Sequence, residues 1–269
     1  MAPHDDQAQK RSNTTITTNT NINSFNLKKI MSGSIFTSSI GKKMFMSISG
    51  CVLVLFLTFH MCMNLALVFS DEAYNAICGF LGANWYAVAA TVLLALVILL
   101  HFALAIYLTI QNRKARGSIR YRANAHEKGV EWSSKNMLVL GFVVIIGLVL
   151  HLVHFWYNMM WAELQGAHEV VLAAGVAPVG TTEGAAIVRY YFTQWPYALT
   201  YLVWFAGIWL HLTHGVWSMM HSIGLNSKVW FKRMKCISWI VATLICGGFA
   251  LCTIILFLQG NGILPYPLF

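Results

Sequence analysis

Charge is what this 269-residue chain has least of: Asp, Glu, Lys and Arg make up 10% of it, against about 25% in a soluble domain. With 58% hydrophobic residues, that shortage excludes a soluble globular enzyme and a disordered protein. It also excludes a nucleic-acid binder, despite a net charge of +9. Two chemistries are missing as well. No CxxC pair occurs among the six cysteines, so thiolate zinc sites, thioredoxin-like exchange and CxxCH haem attachment have no support. There is no GxGxxG fingerprint and no cysteine cluster of the iron–sulfur kind, so a dinucleotide fold and a resident cluster are absent too.

What is present is apolar length. Five stretches, at about 44–69, 86–110, 137–161, 195–220 and 237–259, each approach the ~20 residues that cross hydrocarbon as a helix. The expected fold is an all-α membrane protein of five transmembrane helices, with a membrane domain over residues 38–260. Residues 1–37 read as a polar, low-complexity, disordered extension (SNTTITTNTNINSFN), and 261–269 as a short external tail. The first stretch follows Lys42 and Lys43. It is too long for a secretory signal and lacks a small-residue cleavage site, so it reads as a retained helix.

Basic residues give an orientation. Lys10, Arg11, Lys28, Lys29, Lys42 and Lys43 precede helix I; Arg113, Lys114, Arg116, Arg120, Arg122, Lys128 and Lys135 follow helix II; Lys228, Lys232, Arg233 and Lys235 follow helix IV. The alternate loops hold only Arg189, with Asp71, Glu72, Glu163, Glu169 and Glu183. Positive loops stay on the cytoplasmic side. The expected topology is therefore N-terminus inside and C-terminus outside. The same basic face could dock an acidic peripheral subunit or anionic lipid.

Polar side chains inside a bilayer are costly and need partners. Helix I carries His60, helix II His101, helix III His151 and His154, and helix IV His211 and His214; helix V has no histidine. With a rise of 1.5 Å per residue, His60 and His154 lie ~24 and ~26 Å from the inner ends, and His101 and His211 ~14 and ~15 Å. These are two levels about 10 Å apart, each fed by two helices. Two facing imidazoles at one level are what a six-coordinate haem iron requires, and ligation removes the cost of an unpaired imidazole in lipid. His151 at ~21 Å and His214 at ~10 Å match their partners less well, by about one turn.

Other uses of such residues weigh against that. A lone membrane histidine is more often a structural hydrogen-bonder or a proton relay; four at two matched depths favour haem. The HxxH pairs at 151/154 and 211/214 could suit a non-haem metal, but no carboxylate lies within any span, as a carboxylate-type iron site would need. Trp85, Trp132, Trp156, Trp161, Trp195 and Trp230 flank span ends as an aromatic belt does. Trp204, Trp209 and Trp217 lie deeper, where they pack either on a porphyrin or within the bundle.

Several segments carry a resemblance. Helix I reads SISGCVLVLFLTFHMCMN, helix II ILLHFALAIYL, helix III LVHFWYNM and helix IV WLHLTHGVWSMMHSIGL, with an HxxxGxW pattern. From about Ser38 to about Leu258 the chain resembles the single-chain, di-haem cytochrome b anchor of succinate dehydrogenases and fumarate reductases. The resemblance implies that the first four helices form a haem-binding bundle with one axial ligand each. His60 and His154 would hold an outer haem b, and His101 and His211 an inner one. His151 and His214 would be packing or secondary residues.

The resemblance also implies partners: a flavoprotein and an iron–sulfur subunit on the cytoplasmic face of a bacterial inner membrane, and a membrane quinone, menaquinone, as substrate. The chain itself would pass electrons and leave the dicarboxylate step to the flavoprotein. Ser47, Ser49 and Lys43 are within reach of inner-haem propionates, though serines beside Gly50 serve equally as packing residues. Glu72 and Glu163 are candidates for proton exchange at the outer edge, or ordinary loop carboxylates. Two other classes stay open: a di-haem cytochrome b of the hydrogenase, formate dehydrogenase or ascorbate type, and a haem-free transporter or channel with relay histidines.

Overall fold

The computed structural model describes residues 38–116, 132–224 and 227–266. The expected disordered extension at 1–37 and the basic residues Arg120, Arg122 and Lys128 lie outside them. The chain divides into two compact units, 1–45 and 46–269. In the first, the described residues are the opening of helix α1, where the Ser38 hydroxyl accepts a hydrogen bond from the Gly41 amide at 2.9 Å.

The elements in order are α1 (Ser39–Phe69), α2 (Asp71–Phe80), α3 (Trp85–Arg116), α4 (Trp132–Lys135) and α5 (Met137–His151). A π-helical segment (Leu152–Trp161) and α6 (Ala162–Leu164) continue α5. A two-residue hairpin of β1 (Glu169–Val170) and β2 (Val179–Gly180) precedes α7 (Gly184–Phe192), α8 (Trp195–Ser222) and α9 (Lys228–Gly260). Among the described residues, four helices are long and apolar enough to cross a membrane: Ile40–Phe69, Trp85–Ala115, Met137–Leu164 and Val229–Gly260. The protein is thus mostly helical, with the marks of a multi-pass membrane protein.

The fourth expected span, α8, is helical for 28 residues. Its sequence, WPYALTYLVWFAGIWLHLTHGVWSMMHS, is rich in Trp, Tyr, His and Gly, and it is not among the four helices apolar enough to cross a membrane. Its burial supplies the reason. Tyr201, Phe205, Ile208, Leu212 and Val216 are all buried, so one face of α8 packs against protein. By contrast α3 turns Leu93 and Leu99 outward at 63% exposure each, as a helix facing hydrocarbon does. Ser238 of α9 donates to the Leu212 and Thr213 carbonyls of α8 at 3.1 and 2.6 Å. That seals a polar hydroxyl between two packed helices.

At the opposite ends of the spans from the basic residues lie short elements that hydropathy does not reveal. Ser70 caps α2 by accepting from the Ala73 amide at 3.1 Å, and Asp71 and Glu72 occupy its first turn, where the helix dipole favours anions. Arg189 of α7 grips Asp71 through Nε and Nη2 at 2.8–3.2 Å, gives Nη1 to Gln259 of α9 at 3.0 Å, and lies 4.2 Å from the Tyr266 ring centre. This fork ties α2, α7 and α9 together. Because both charges remain partly exposed (19% and 33%), their solvent screening limits the gain. Arg189→Ala is expected to cost about 1–3 kcal/mol in thermal unfolding of the detergent-solubilised protein. Arg189→Lys should recover little of it, since an ammonium cannot make the bidentate contact.

Candidate functional site

The inner histidines meet. His101 of α3 and His211 of α8 have ring centres 6.5 Å apart, tilted by 59°. A metal–imidazole bond is ~2.0 Å and the ring centre lies ~1.15 Å behind the nitrogen, so two axial imidazoles on one iron have ring centres about 6.3 Å apart. The other two helices of the bundle bring glycine to this level. A Cβ on Gly50 of α1 would stand 3.6 Å from Cε1 of His101, and one on Gly141 of α5 would stand 4.0 Å from Cε1 of His211. Both imidazoles therefore lie against bare backbone.

Ser49 is buried at 4% exposure, and its hydroxyl donates to the Met46 carbonyl at 3.0 Å. Its oxygen also stands 3.0 Å from Nδ1 of His101. A metal bound at Nε2 requires the His101 proton on Nδ1, and the Ser49 oxygen is then its acceptor. Nδ1 of His211 is buried without a hydrogen-bond partner, a group that no protein atom satisfies. Donor type, ring spacing and glycine clearance fit an axially ligated haem at this level. Ser47, the neighbouring candidate, is buried at 4% exposure. Lys43 is exposed near the start of α1, in the 1–45 unit.

At the outer level both histidines of the third long helix have ring partners, and they differ. His60 of α1 lies against His151, with ring centres 5.8 Å apart and planes at 87°. Phe56 stacks on His60 at 5.4 Å, and Phe249 of α9 lies at 5.7 Å. His154, the residue matched to His60 by depth, faces a tyrosine cluster instead. It stacks on Tyr191 at 4.4 Å, meets Tyr197 edge-on at 5.1 Å, and its Nδ1 is 3.1 Å from the Tyr201 hydroxyl.

The π segment is the cause. In an α-helix residues three apart lie ~60° apart around the axis. A π turn holds about 4.4 residues, which widens that angle to ~115°. From Leu152 onward the backbone is π-helical, so His151 and His154 no longer share a face. One swings toward α1 and the other toward α7 and α8. A depth calculation on a uniform rise cannot anticipate this.

Sequence reasoning overlooks two polar partners, Tyr201 and Asn64, and assigns a third, Ser49, a different contact. Tyr201, in the second turn of α8, is 1% exposed, and a hydroxyl that deep is a detectable signal. Asn64 stands one turn beyond His60. Its Nδ2 donates to the His60 carbonyl at 2.8 Å and approaches the His60 ring nitrogens at 3.5 Å, while its Oδ1 accepts from Tyr74 at 3.2 Å. Ser49 was noticed, but as a propionate contact rather than as the partner of His101.

The carboxylates divide in the same way. Glu163 accepts from the Ala83 amide at 3.0 Å, which ties the end of the third long helix to the turn before α3. Glu72 is exposed in the first turn of α2. His214 packs edge-on against Trp217 at 4.9 Å.

Comparison with protein-family models, with curated proteins and with solved structures finds no match to this chain.

Proposed function

We propose that this chain is the membrane-anchor, di-haem cytochrome b subunit of a succinate:quinone oxidoreductase of the succinate dehydrogenase/fumarate reductase type. In this reading α1, α3, the α5–α6 rod, α8 and α9 are the five spans, in a bacterial cytoplasmic membrane. The N-terminus lies inside and the C-terminus outside. Arg113, Lys114, Lys135, Lys232, Arg233 and Lys235 occur at one set of helix ends, and Asp71, Glu72, Glu163 and Glu183 at the other, which accords with that direction.

The observation that carries the proposal is the facing of His101 and His211 at 6.5 Å between two helices that present Gly50 and Gly141. Haem, when bound, supplies a one-electron carrier at each level. The chain's own residues do the rest. His101 and His211 hold the inner site, Ser49 orients the first of them, and the apolar faces of the bundle keep water out. A flavoprotein and an iron–sulfur subunit on the basic side would exchange electrons with this stack, and menaquinone would be the membrane-side substrate.

Two assignments compete for the partner of His60 in the outer site. His154 matches it by depth and by the resemblance, and its Nδ1 stands 3.1 Å from the Tyr201 hydroxyl, which would accept the Nδ1 proton of a ring ligated through Nε2. His151 is the ring that lies against His60. At 5.8 Å this pair is about 0.5 Å short of the axial spacing. Haem counts on His151→Ala and His154→Ala separate the two.

The test of the reading is a reduced-minus-oxidised spectrum of the purified protein. Two b-type haems per chain are expected; a colourless preparation would return the histidines to a relay or purely structural role. Co-purification with a flavoprotein and an iron–sulfur protein distinguishes this anchor from a di-haem cytochrome of the hydrogenase or formate dehydrogenase type.

A further inference from the structure

We propose that Ser49 is a positioning residue that sets the electron-donating strength of His101 and thereby makes the two axial ligands of the inner haem unequal. The inference rests on the di-haem reading above. Its basis is the directed pair of hydrogen bonds already described. With His101 ligated through Nε2, its proton is on Nδ1, 3.0 Å from the Ser49 oxygen, and the Ser49 hydroxyl has the Met46 carbonyl, one turn back on α1, to receive its own proton at 3.0 Å. Ser49 is buried, so water does not compete for that contact.

An imidazole whose Nδ1–H is donated to an acceptor is a stronger donor at Nε2, and the acceptor also locks the ring's orientation and tautomer. His211 has no such acceptor: its Nδ1 is buried and unpartnered. One side of the inner site is therefore electron-rich and the other is not. A richer ligand stabilises the oxidised form of the metal it holds. A serine on the first helix, which donates no ligand at this level, accordingly lowers the reduction potential of the inner centre.

The residue next to it makes the same point sterically. Gly50 leaves its Cβ position 3.6 Å from Cε1 of His101, so α1 approaches this ring closely enough for a side chain as short as serine to reach Nδ1. A longer residue at 49 would have to bend away, and alanine there offers no acceptor.

The experiment is a redox titration, followed optically, of the purified complex carrying wild-type chain, Ser49→Ala or Ser49→Thr, with the low-spin ferric EPR signals recorded in parallel. Ser49→Ala should raise the inner-haem potential and shift its EPR signal, leaving the outer haem unmoved, and Ser49→Thr should restore both. Loss of the inner haem alone in Ser49→Ala, recovered in Ser49→Thr, also supports the role. An inner haem with wild-type potential and EPR signal in Ser49→Ala overturns it, even with both haems present.

If Ser49→Ala does not accumulate, Ser49→Cys serves. It keeps the volume with a weaker acceptor, and must move the potential in the same direction; a wild-type potential there is equally fatal. A wild-type protein without an inner haem sinks the di-haem reading itself. That result is distinct from a two-haem protein indifferent to position 49.

Discussion

Alanine at His101 or at His211 is expected to halve the haem content of the purified protein, and both substitutions should remove the same spectral component. The expectation follows from the 6.5 Å spacing of the two rings, close to the ~6.3 Å of two axial imidazoles on one iron. The imidazole that remains after either substitution is a single ligand beside a hole the size of the missing ring. Haem content by pyridine haemochrome and the reduced-minus-oxidised spectrum read the result. Should the two variants lose different components, the pairing across α3 and α8 is wrong. His60→Ala should remove the other component. Whichever of His151→Ala and His154→Ala removes that same component is the outer partner.

Gly147→Ala should strongly destabilise the packing of α5 on α8. A Cβ at position 147 of α5 would fall inside the van der Waals envelope of the Trp204 indole of α8. The indole cannot simply retreat, because its Nε1 donates to the Val144 carbonyl at 3.2 Å and its ring lies 5.9 Å from that of His151. Overpacking of this kind costs about 1–3 kcal/mol, and loss of the indole hydrogen bond adds ~1 kcal/mol.

The thermal midpoint of the detergent-solubilised protein should therefore fall, and the outer haem should be disturbed more than the inner one. Gly247→Ala on α9 is the matched control. Nothing stands within 4 Å of its Cβ position, so the exchange should be neutral, or slightly stabilising through helix propensity. Equal losses from both substitutions would mean that α5 and α8 are not held together at this contact.

The membrane character and the long helices were legible because they depend on local properties. Runs of apolar residues announce length, and the observed helices start or end within a few residues of most expected limits. α9 departs most: it begins at Lys228, well before the expected 237, because its first turns carry four basic residues and are still helical; α3 likewise runs on through basic residues to Arg116, past the expected 110. Hydropathy also missed α2 and α7, which are short and amphipathic. They are recognisable by a cap at Ser70 and by the Arg189 fork rather than by apolar content.

α8 illustrates the opposite case. Its Trp, Tyr and His residues make it the least membrane-like of the long helices on paper, and they are there because it is buried among the others. A residue that touches protein on most sides need not be as apolar as one that touches lipid.

The sequence by itself determined the composition class, the long helices, the segregation of positive charge and the presence of histidines on four of the five long helices. All of these are counts or periods along one chain. It could not determine which rings face each other, because that depends on how far each helix is rotated about its own axis. Only the tertiary structure decided this. The close contact of Gly147 with Trp204 sets the register of α5 on α8, and the π segment after His151 turns His154 from the first helix toward the tyrosines. A single extra residue per turn changes no hydropathy average, yet it moves an imidazole from one neighbour to another.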